Sequence, residues 1–304
     1  MGFTEITLEH KGLLDTYFKS YDPETSELTF TNLFMWRHCN KYSFIEESGF
    51  LCIIANPAEG QLYAFFPIPG NGASFDKDGI NGLKSAFGAI SAHFKDTGKR
   101  LVFGRVTEKE CSIFKEIRDD ISDIIPDRNN SDYLYKCEDL RMLAGKRFDG
   151  KRNHISRFKK ENEYKYVRIE KDILPECANI MDKWCSLRNC SEDNSLYCER
   201  TAVNELLSNY DTLGCIGAAI EVNGNFEAFT IGEMLNWNTA VIHVEKANSS
   251  INGLYAAINQ EFCANEWQDA IYINREQDLG IEGIRKAKLS YNPVALISKY
   301  TVTF

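Results

Sequence analysis

The sequence predicts an α+β protein made of two similar domains in tandem, each a mixed, mostly antiparallel sheet flanked by helices. Three observations lead to this class. Short apolar runs with two-residue alternation are interleaved with longer stretches whose apolar residues recur at helical spacing. The same order of elements can be read once in each half: strand, helix or helices, three-strand meander, helix, strand, helix, strand. A repeated architecture without a repeated sequence points to two domains, and a chain of 304 residues is long enough to hold them.

The first domain is expected over residues 1–143. Residues 3–7 read as a strand, and Leu13, Leu14, Tyr17 and Phe18 mark a helix. Residues 31–36 continue as an aromatic-rich core helix. Strands at 42–46 and 50–55 flank Glu47-Ser48-Gly49, a short hairpin loop, and a third run at 62–68 is closed by Pro69-Gly70-Asn71-Gly72. A helix over 80–95 carries Leu83, Phe87, Ile90 and Phe94 on one stripe. A buried strand at 101–106, a helix at 108–118 and a β-like run at 131–143 complete the half.

Residues 144–162 form a basic linker helix with Phe148, Ile155 and Phe158 as a narrow apolar seam. The second domain, 163–304, opens with a strand at 164–169 and helices at 173–188 and about 200–210. Two alternating runs around Asn223-Gly224-Asn225 give a strong hairpin signal. A strand at 239–244, a helix at 253–264, a strand at 270–273, a helix from Gly280 stopped by Asn292-Pro293, and a β-rich tail follow.

The balance of 43% apolar and 26% charged residues is that of a globular protein. No run approaches the roughly 18 apolar residues that span a bilayer. The opening MGFTEITLEHKGLL lacks a secretory layout, and Ile6 stands where a myristoylation motif after Met1-Gly2 wants Ser or Thr. A cytoplasmic protein is expected. Ten scattered cysteines without a Cys-x-x-Cys pair read as buried free thiols, with Cys185 and Cys190 close together near the end of one helix. The histidines show no metal-ligand spacing, so no metal is expected. A net charge of −9 argues against nucleic-acid binding over the whole surface. No glycine-rich loop follows the first strand, as a kinase or dinucleotide enzyme would require.

Charge is concentrated in two places. After the strand at 270–273 come Asn274, Arg275, Glu276, Asp278, Glu282, Arg285, Lys286 and Lys288, crowded at a strand's carboxyl end and a helix start. That is where α/β folds tend to place ligands. The competing reading is a solvated loop and a salt-bridged helix. The second place is the linker, with Lys146, Arg147, Lys151, Arg152, His154 and Arg157, a phosphate- or tRNA-facing surface or a solvated helix.

The element order resembles the GNAT-type acyltransferase fold, here in tandem. The runs Tyr133-Leu-Tyr-Lys-Cys-Glu-Asp-Leu140, Gly145-Lys-Arg-Phe with Lys151-Arg-Asn-His154, His243-x-Glu245-Lys246-Ala247, Gly253-Leu-Tyr255 with Asn259, and Asn274 to Pro293 together resemble the bacterial family related to the C-terminal catalytic domain of phosphatidylglycerol lysyltransferase. The resemblance covers nearly the whole chain. It implies transfer of an aminoacyl or acyl group from an activated ester to an amine or hydroxyl, with aminoacyl-tRNA or acyl-coenzyme A as donor and a small molecule or lipid headgroup as acceptor. Non-catalytic ligand binding and coenzyme-A-dependent N-acetylation are the alternatives. The phosphate-cradling segment of coenzyme-A enzymes, Gln or Arg-x-x-Gly-x-Gly or Ala, is matched only at Gly253, whose helix N-terminus still offers amides to an anion.

Such a reaction needs a proton acceptor, donors for the developing oxyanion and cations for donor phosphates. His243 and Glu245 fall on one side of a strand by two-residue periodicity, and either is a candidate base, with Glu233 as a third. Cross-strand ion pairing is the competing role for each. Asp278 and Glu282 are candidates to hold an amino group, Arg275, Arg285, Lys286 and Lys288 to bind phosphates, and Tyr291 to protonate a leaving group. Lys246 reads as a surface cation.

Overall fold

The computed structural model describes residues 2–77 and 79–304, so Met1 of the Met1-Gly2 pair lies outside it. The chain forms two compact units and two sheets. The first unit takes the chain up to Asp132 together with 277–280 and 297–304. Its elements begin with β1 (Thr4–Glu5), α1 (Lys11–Tyr21), α2 (Phe30–Met35), α3 (Arg37–Asn40), β2 (Ser43–Glu47) and β3 (Phe50–Ala55). Next come β4 (Tyr63–Ala64), β5 (Ile68–Pro69), α4 (Ile80–Asp96), β6 (Val102–Val106), α5 (Glu108–Ile117) and β7 (Asp123–Pro126). The stripe Leu83, Phe87, Ile90 and Phe94 of α4 is buried as its spacing predicts. It packs into an aromatic core in which Phe87 lies 5.4 Å from Phe103 and Phe66 lies 4.9 Å from Phe114. The start of α5 is fixed by a capping box, with the Glu110 carboxylate accepting from the Thr107 amide at 2.6 Å.

The second unit holds 133–276 and 281–296. Its elements are β8 (Asp132–Lys136), α6 (Cys137–Met142), α7 (Asp149–Glu161), β9 (Tyr164–Arg168), α8 (Leu174–Ser186), α9 (Asn194–Ser208) and α10 (Tyr210–Leu213). They continue with β10 (Ile216–Val222), β11 (Asn225–Met234), β12 (Thr239–Ala247), α11 (Leu254–Asn265), β13 (Tyr272–Asn274), α12 (Glu282–Leu289) and β14 (Ala295–Ile297). The strand order is β14-β8-β13-β12-β11-β10-β9. Asn223 and Gly224 both take positive φ, 51° and 84°, which is the geometry a two-residue hairpin between right-twisted strands requires.

Two strands differ from the sequence expectation. The run at 131–143 does not close the first sheet. Its strand part is β8, paired antiparallel with β13 through Ile273 and Tyr135, and the rest coils into α6. The final strand, β15 (Tyr300–Thr303), is inserted in the first sheet between β6 and β7. Burial explains both placements: Tyr133 and Tyr135 enter the second unit's core, and Val302 enters the first's. The 143/144 and 162/163 divisions read from the sequence therefore do not coincide with the units, and α7 is part of the second one.

One feature of the second sheet positions the site. The parallel pairing of β12 with β13 lasts three rungs, Thr239 with Tyr272, Ala240 with Ile273, and Val241 with Asn274. Beyond them β13 ends, while β12 runs on to Ala247, still paired on its other side with β11. The β12 edge past Val241 therefore faces side chains instead of a strand.

Candidate active site

Two charged groups of side chains gather around β12 past Val241, drawn from β11, from β12 itself and from the turn after β13. In the first, the buried His243 ring bonds Glu233 Oε1 through Nε2 at 2.9 Å and Glu276 Oε1 through Nδ1 at 3.0 Å. Ionised carboxylates only accept, so with Glu233 and Glu276 both ionised each ring nitrogen donates and the ring is an imidazolium. Burial opposes this charge, but the hydrogen bonds to Glu233 and Glu276 outweigh it and lift the pKa to about 9. Glu276 holds a left-handed backbone, φ 55°. Its amide donates to Asn274 Oδ1 at 2.8 Å, and its carbonyl accepts from the Tyr133 amide at 3.1 Å. Lys288 Nζ binds the carbonyls of Arg275 and Glu276. The turn that presents Arg275 is thus tied on every side.

In the second group, Glu245 accepts from Arg275 Nη2 at 2.8 Å and from Asn259 Nδ2 at 3.0 Å, one oxygen each. The Arg275 guanidinium lies 4.8 Å from the Tyr291 ring centre and 5.8 Å from that of Tyr135. Burial disfavours its charge, yet Glu245 and the tyrosines around it hold the proton more tightly than usual. Two buried atoms here have no hydrogen-bond partner, Arg275 Nη1 and Asn259 Oδ1. Burial pushes the Tyr291 hydroxyl up to about 12, against the pull of Arg275. Lys151 Nζ sits 3.9 Å over the Tyr291 ring. Burial, and then Arg275, lower its pKa to about 8.

The structure brings together Glu233, His243, Glu276, Glu245, Arg275, Tyr291, Asn274 and Lys288. It withdraws other candidates. Asp278 belongs to the first unit, where it is fully buried, accepts from the Gly280 amide at 2.8 Å and pairs with Arg128 at 3.1 Å. It is a folding carboxylate, not a holder of substrate. Glu282, Arg285 and Lys286 line an open depression of about 500 Å³ on α12 with Leu289 and Ser290. Lys288 binds carbonyl oxygens instead of phosphates. His243, as an imidazolium, is no base. At Gly253 a Cβ would stand 2.4 Å from the His154 carbonyl oxygen, so the backbone of α7 passes close to this glycine and holds the position to glycine.

The basic run is largely self-neutralised. Arg147 pairs with Asp139 at 2.7 Å, Arg157 with Glu161 at 2.8 Å and Lys159 with Glu261 at 2.7 Å, while Arg152 binds Asp149. His154 Nδ1 lies 3.1 Å from Asn252 Oδ1, and Lys146 is exposed. Lys246 is not a surface cation. It is buried, pairs with Glu199 at 2.6 Å and stands 3.5 Å over the Trp184 ring, and burial lowers its pKa. Cys185 and Cys190 form a disulfide instead of two free thiols. Cys39 and Cys198 are disulfide-bonded as well, against the same expectation, while Cys52, Cys111, Cys137, Cys177, Cys215 and Cys263 are buried thiols outside any disulfide. Among the described residues no group of His, Cys, Asp or Glu side chains is arranged to hold a metal, and no helix is long and apolar enough to cross a membrane. Sequence reasoning missed Tyr135 and the role of Asn259. The alternation Tyr133-Leu134-Tyr135 was the available signal for the first, and for the second the run Gly253-Leu-Tyr255 with Asn259, which carried the resemblance without a role for Asn259.

The imidazolium gives a pH signature. The folded pKa lies above the ordinary value of about 6.5, so the stabilisation is complete below that pH and is lost as pH rises through about 9. Denaturant titrations of the protein and of His243→Gln across pH 6–10 are expected to differ by about 3 kcal/mol in their change over this window. Parallel curves would refute the charge assignment.

The profile of the family described as phosphatidylglycerol lysyltransferase, C-terminal, matches residues 18–303. A conserved protein of unknown function from Bacteroides thetaiotaomicron VPI-5482 is 35% identical, with a TM-score of 0.91 over 100% of this chain and 99% of that one. The C-terminal domain of a putative lysylphosphatidylglycerol synthetase from Agrobacterium fabrum has a TM-score of 0.65 at 13% identity, over 98% of this chain and 92% of that one. A tandem GNAT protein from the clavulanic acid biosynthesis pathway has a TM-score of 0.52 at 7% identity over 99% and 98% of the two chains, so the fold is the tandem GNAT one. An uncharacterized protein of Mycoplasmoides gallisepticum is 24% identical over 57% of this chain, and the match spans 56% of that relative's length.

Proposed function

The chain belongs to the phosphatidylglycerol lysyltransferase C-terminal family, and on that premise we propose that its second unit is an aminoacyl- or acyltransferase site. The observation that carries the reading is the Glu245–Arg275 pair in the gap beside β12, with Arg275 Nη1 and Asn259 Oδ1 left unpartnered. Arg275 Nη1 is a fixed cationic donor, suited to a carbonyl oxygen that gains charge on attack. Asn259 Oδ1, beside the Glu245 carboxylate, is an acceptor suited to an ammonium group. An aminoacyl ester offers both a carbonyl and an ammonium, whereas an acetyl thioester offers only the first.

The close approach of the His154 carbonyl oxygen to Gly253, an acceptor that repels phosphate, also favours an aminoacyl-tRNA donor over acyl-coenzyme A. The acceptor is an amine or hydroxyl on a small molecule or a lipid headgroup, and the setting is the cytoplasm, where aminoacyl-tRNA is at hand. Single-turnover assays of the full chain with a panel of aminoacyl-tRNAs and acyl-coenzyme A thioesters test this. Transfer from aminoacyl-tRNA is expected. Consumption of neither donor class, with any amine, hydroxyl or lipid acceptor, overturns the reading.

A further inference from the structure

Acyl transfer needs a group that takes the acceptor's proton, and the carboxylates and imidazole of the site are already committed. Both nitrogens of His243 face carboxylates. Glu233 and Glu276 each receive one of them, and Glu245 has one oxygen on Arg275 and the other on Asn259. Lys151 differs from all of these. It projects from α7 onto the Tyr291 ring at 3.9 Å, half-buried. The Arg275 guanidinium lies 4.8 Å from the centre of the same ring, so two cations share one aromatic surface; Arg275 is paired with Glu245, while among the described residues no carboxylate lies within ion-pair distance of Lys151. The charged and titratable groups that face Lys151 are Tyr291 from the segment after α12, Arg275 from the turn after β13, and Glu245 from β12. On its own helix, Asp149 and Arg152 pair with each other.

We propose that Lys151, as the neutral amine, is the proton acceptor of this site, an inference that rests on the transferase reading and adds to it the group that activates the acceptor. The acceptor's nitrogen or oxygen attacks the ester carbonyl, and its proton passes to Lys151 Nζ. The carbonyl oxygen, negative in the intermediate, faces Arg275 Nη1. The bond to the ribose oxygen then breaks, and the ammonium of Lys151 returns the proton to that oxygen, so no net proton is gained or lost. An amine crowded by a second cation and half out of water gives up its proton at a lower pH than an ordinary lysine, so a share of it is neutral in mildly basic solution, whereas arginine in its place stays charged.

Two measurements test this. Reductive methylation with [13C]formaldehyde followed by NMR titration is expected to show, besides the buried Lys246, a lysine that deprotonates well below the others and whose signal is absent in Lys151→Arg. Single-turnover transfer by Lys151→Arg is expected to fall by about 10²–10⁴ with donor binding kept within about threefold. Lys151 titrating with the other lysines, or Lys151→Arg transferring within tenfold of the wild type, overturns the proposal and leaves the transferase reading standing. If the wild type transfers from no donor while Lys151 still titrates low, the transferase reading falls and takes the proposal with it.

Discussion

Glu245→Ala is expected to abolish transfer and to lower the stability of the second unit by about 3–5 kcal/mol, the usual cost of stranding one partner of a buried pair. Arg275 and Glu245 are nearly buried, with side-chain exposures of 12% and 13%, so water does little to replace the lost charge. Arg275 already has one nitrogen without a partner; the variant would leave it a second. The two effects separate in companion variants. Glu245→Ala with Arg275→Met removes both charges and is expected to recover most of the stability, because an uncharged pair has no desolvation deficit. It is not expected to recover transfer, since the oxyanion donor is gone. Glu245→Gln keeps shape and one accepting oxygen while losing the second acceptor and the charge that fixes the guanidinium, and transfer should drop about 10²–10³. Urea denaturation and single-turnover assays read these outcomes. Normal transfer by Glu245→Gln would remove the pair from the chemistry.

Much of the fold was legible because the deciding signals are local. The α4 stripe, the Asn223-Gly224 turn and the Asn292-Pro293 stop each act within a few residues, and the structure follows them. The fates of β8 and β15 were not legible. Period-two alternation says which face of a strand is buried but not which neighbour it will have, and Tyr135 meets Ile273 across more than a hundred residues of chain. The same limit governs the site. Glu276 and Asp278 are two positions apart and chemically alike in sequence, yet the left-handed turn at Glu276 sends one to His243 in the second unit and the other to Arg128 in the first. Periodicity did align His243 with Glu245. It could not tell a base from an imidazolium, because that depends on two carboxylates brought from other strands and turns. Lys151 was grouped with its basic neighbours for the same reason: the Tyr291 ring that sets it apart is far away in sequence.

The first unit carries the other large effect: Lys299→Met is expected to destabilise it by about 3–5 kcal/mol without touching the site chemistry. Lys299 Nζ is buried between Glu27 Oε2 at 2.5 Å and Asp132 Oδ1 at 2.7 Å. Asp132 also accepts from the Ser26 amide at 2.8 Å and its hydroxyl at 3.1 Å, and Glu27 meets Arg105 Nε at 3.2 Å. Arg105 in turn reaches Asp127 at 2.7 Å. Burial raises the Glu27 pKa against the pull of Lys299, so methionine at 299 would strip the ammonium from two desolvated carboxylates, leaving Glu27 on Arg105 and Asp132 on Ser26. The residue stands directly before β15, and its carbonyl accepts from the Asp127 amide at 2.7 Å. Loss of the ammonium should therefore loosen the strand that closes the first sheet. Hydrogen exchange of the β15 amides should rise more than that of α4, and adding Glu27→Gln to Lys299→Met should recover part of the loss, because one stranded charge is then gone. If Lys299→Met instead unfolds at the same urea concentration as the parent, the three ionic groups contribute no more than an apolar filling of the same volume, and the placement of β15 rests on Val302 and its aromatic neighbours alone.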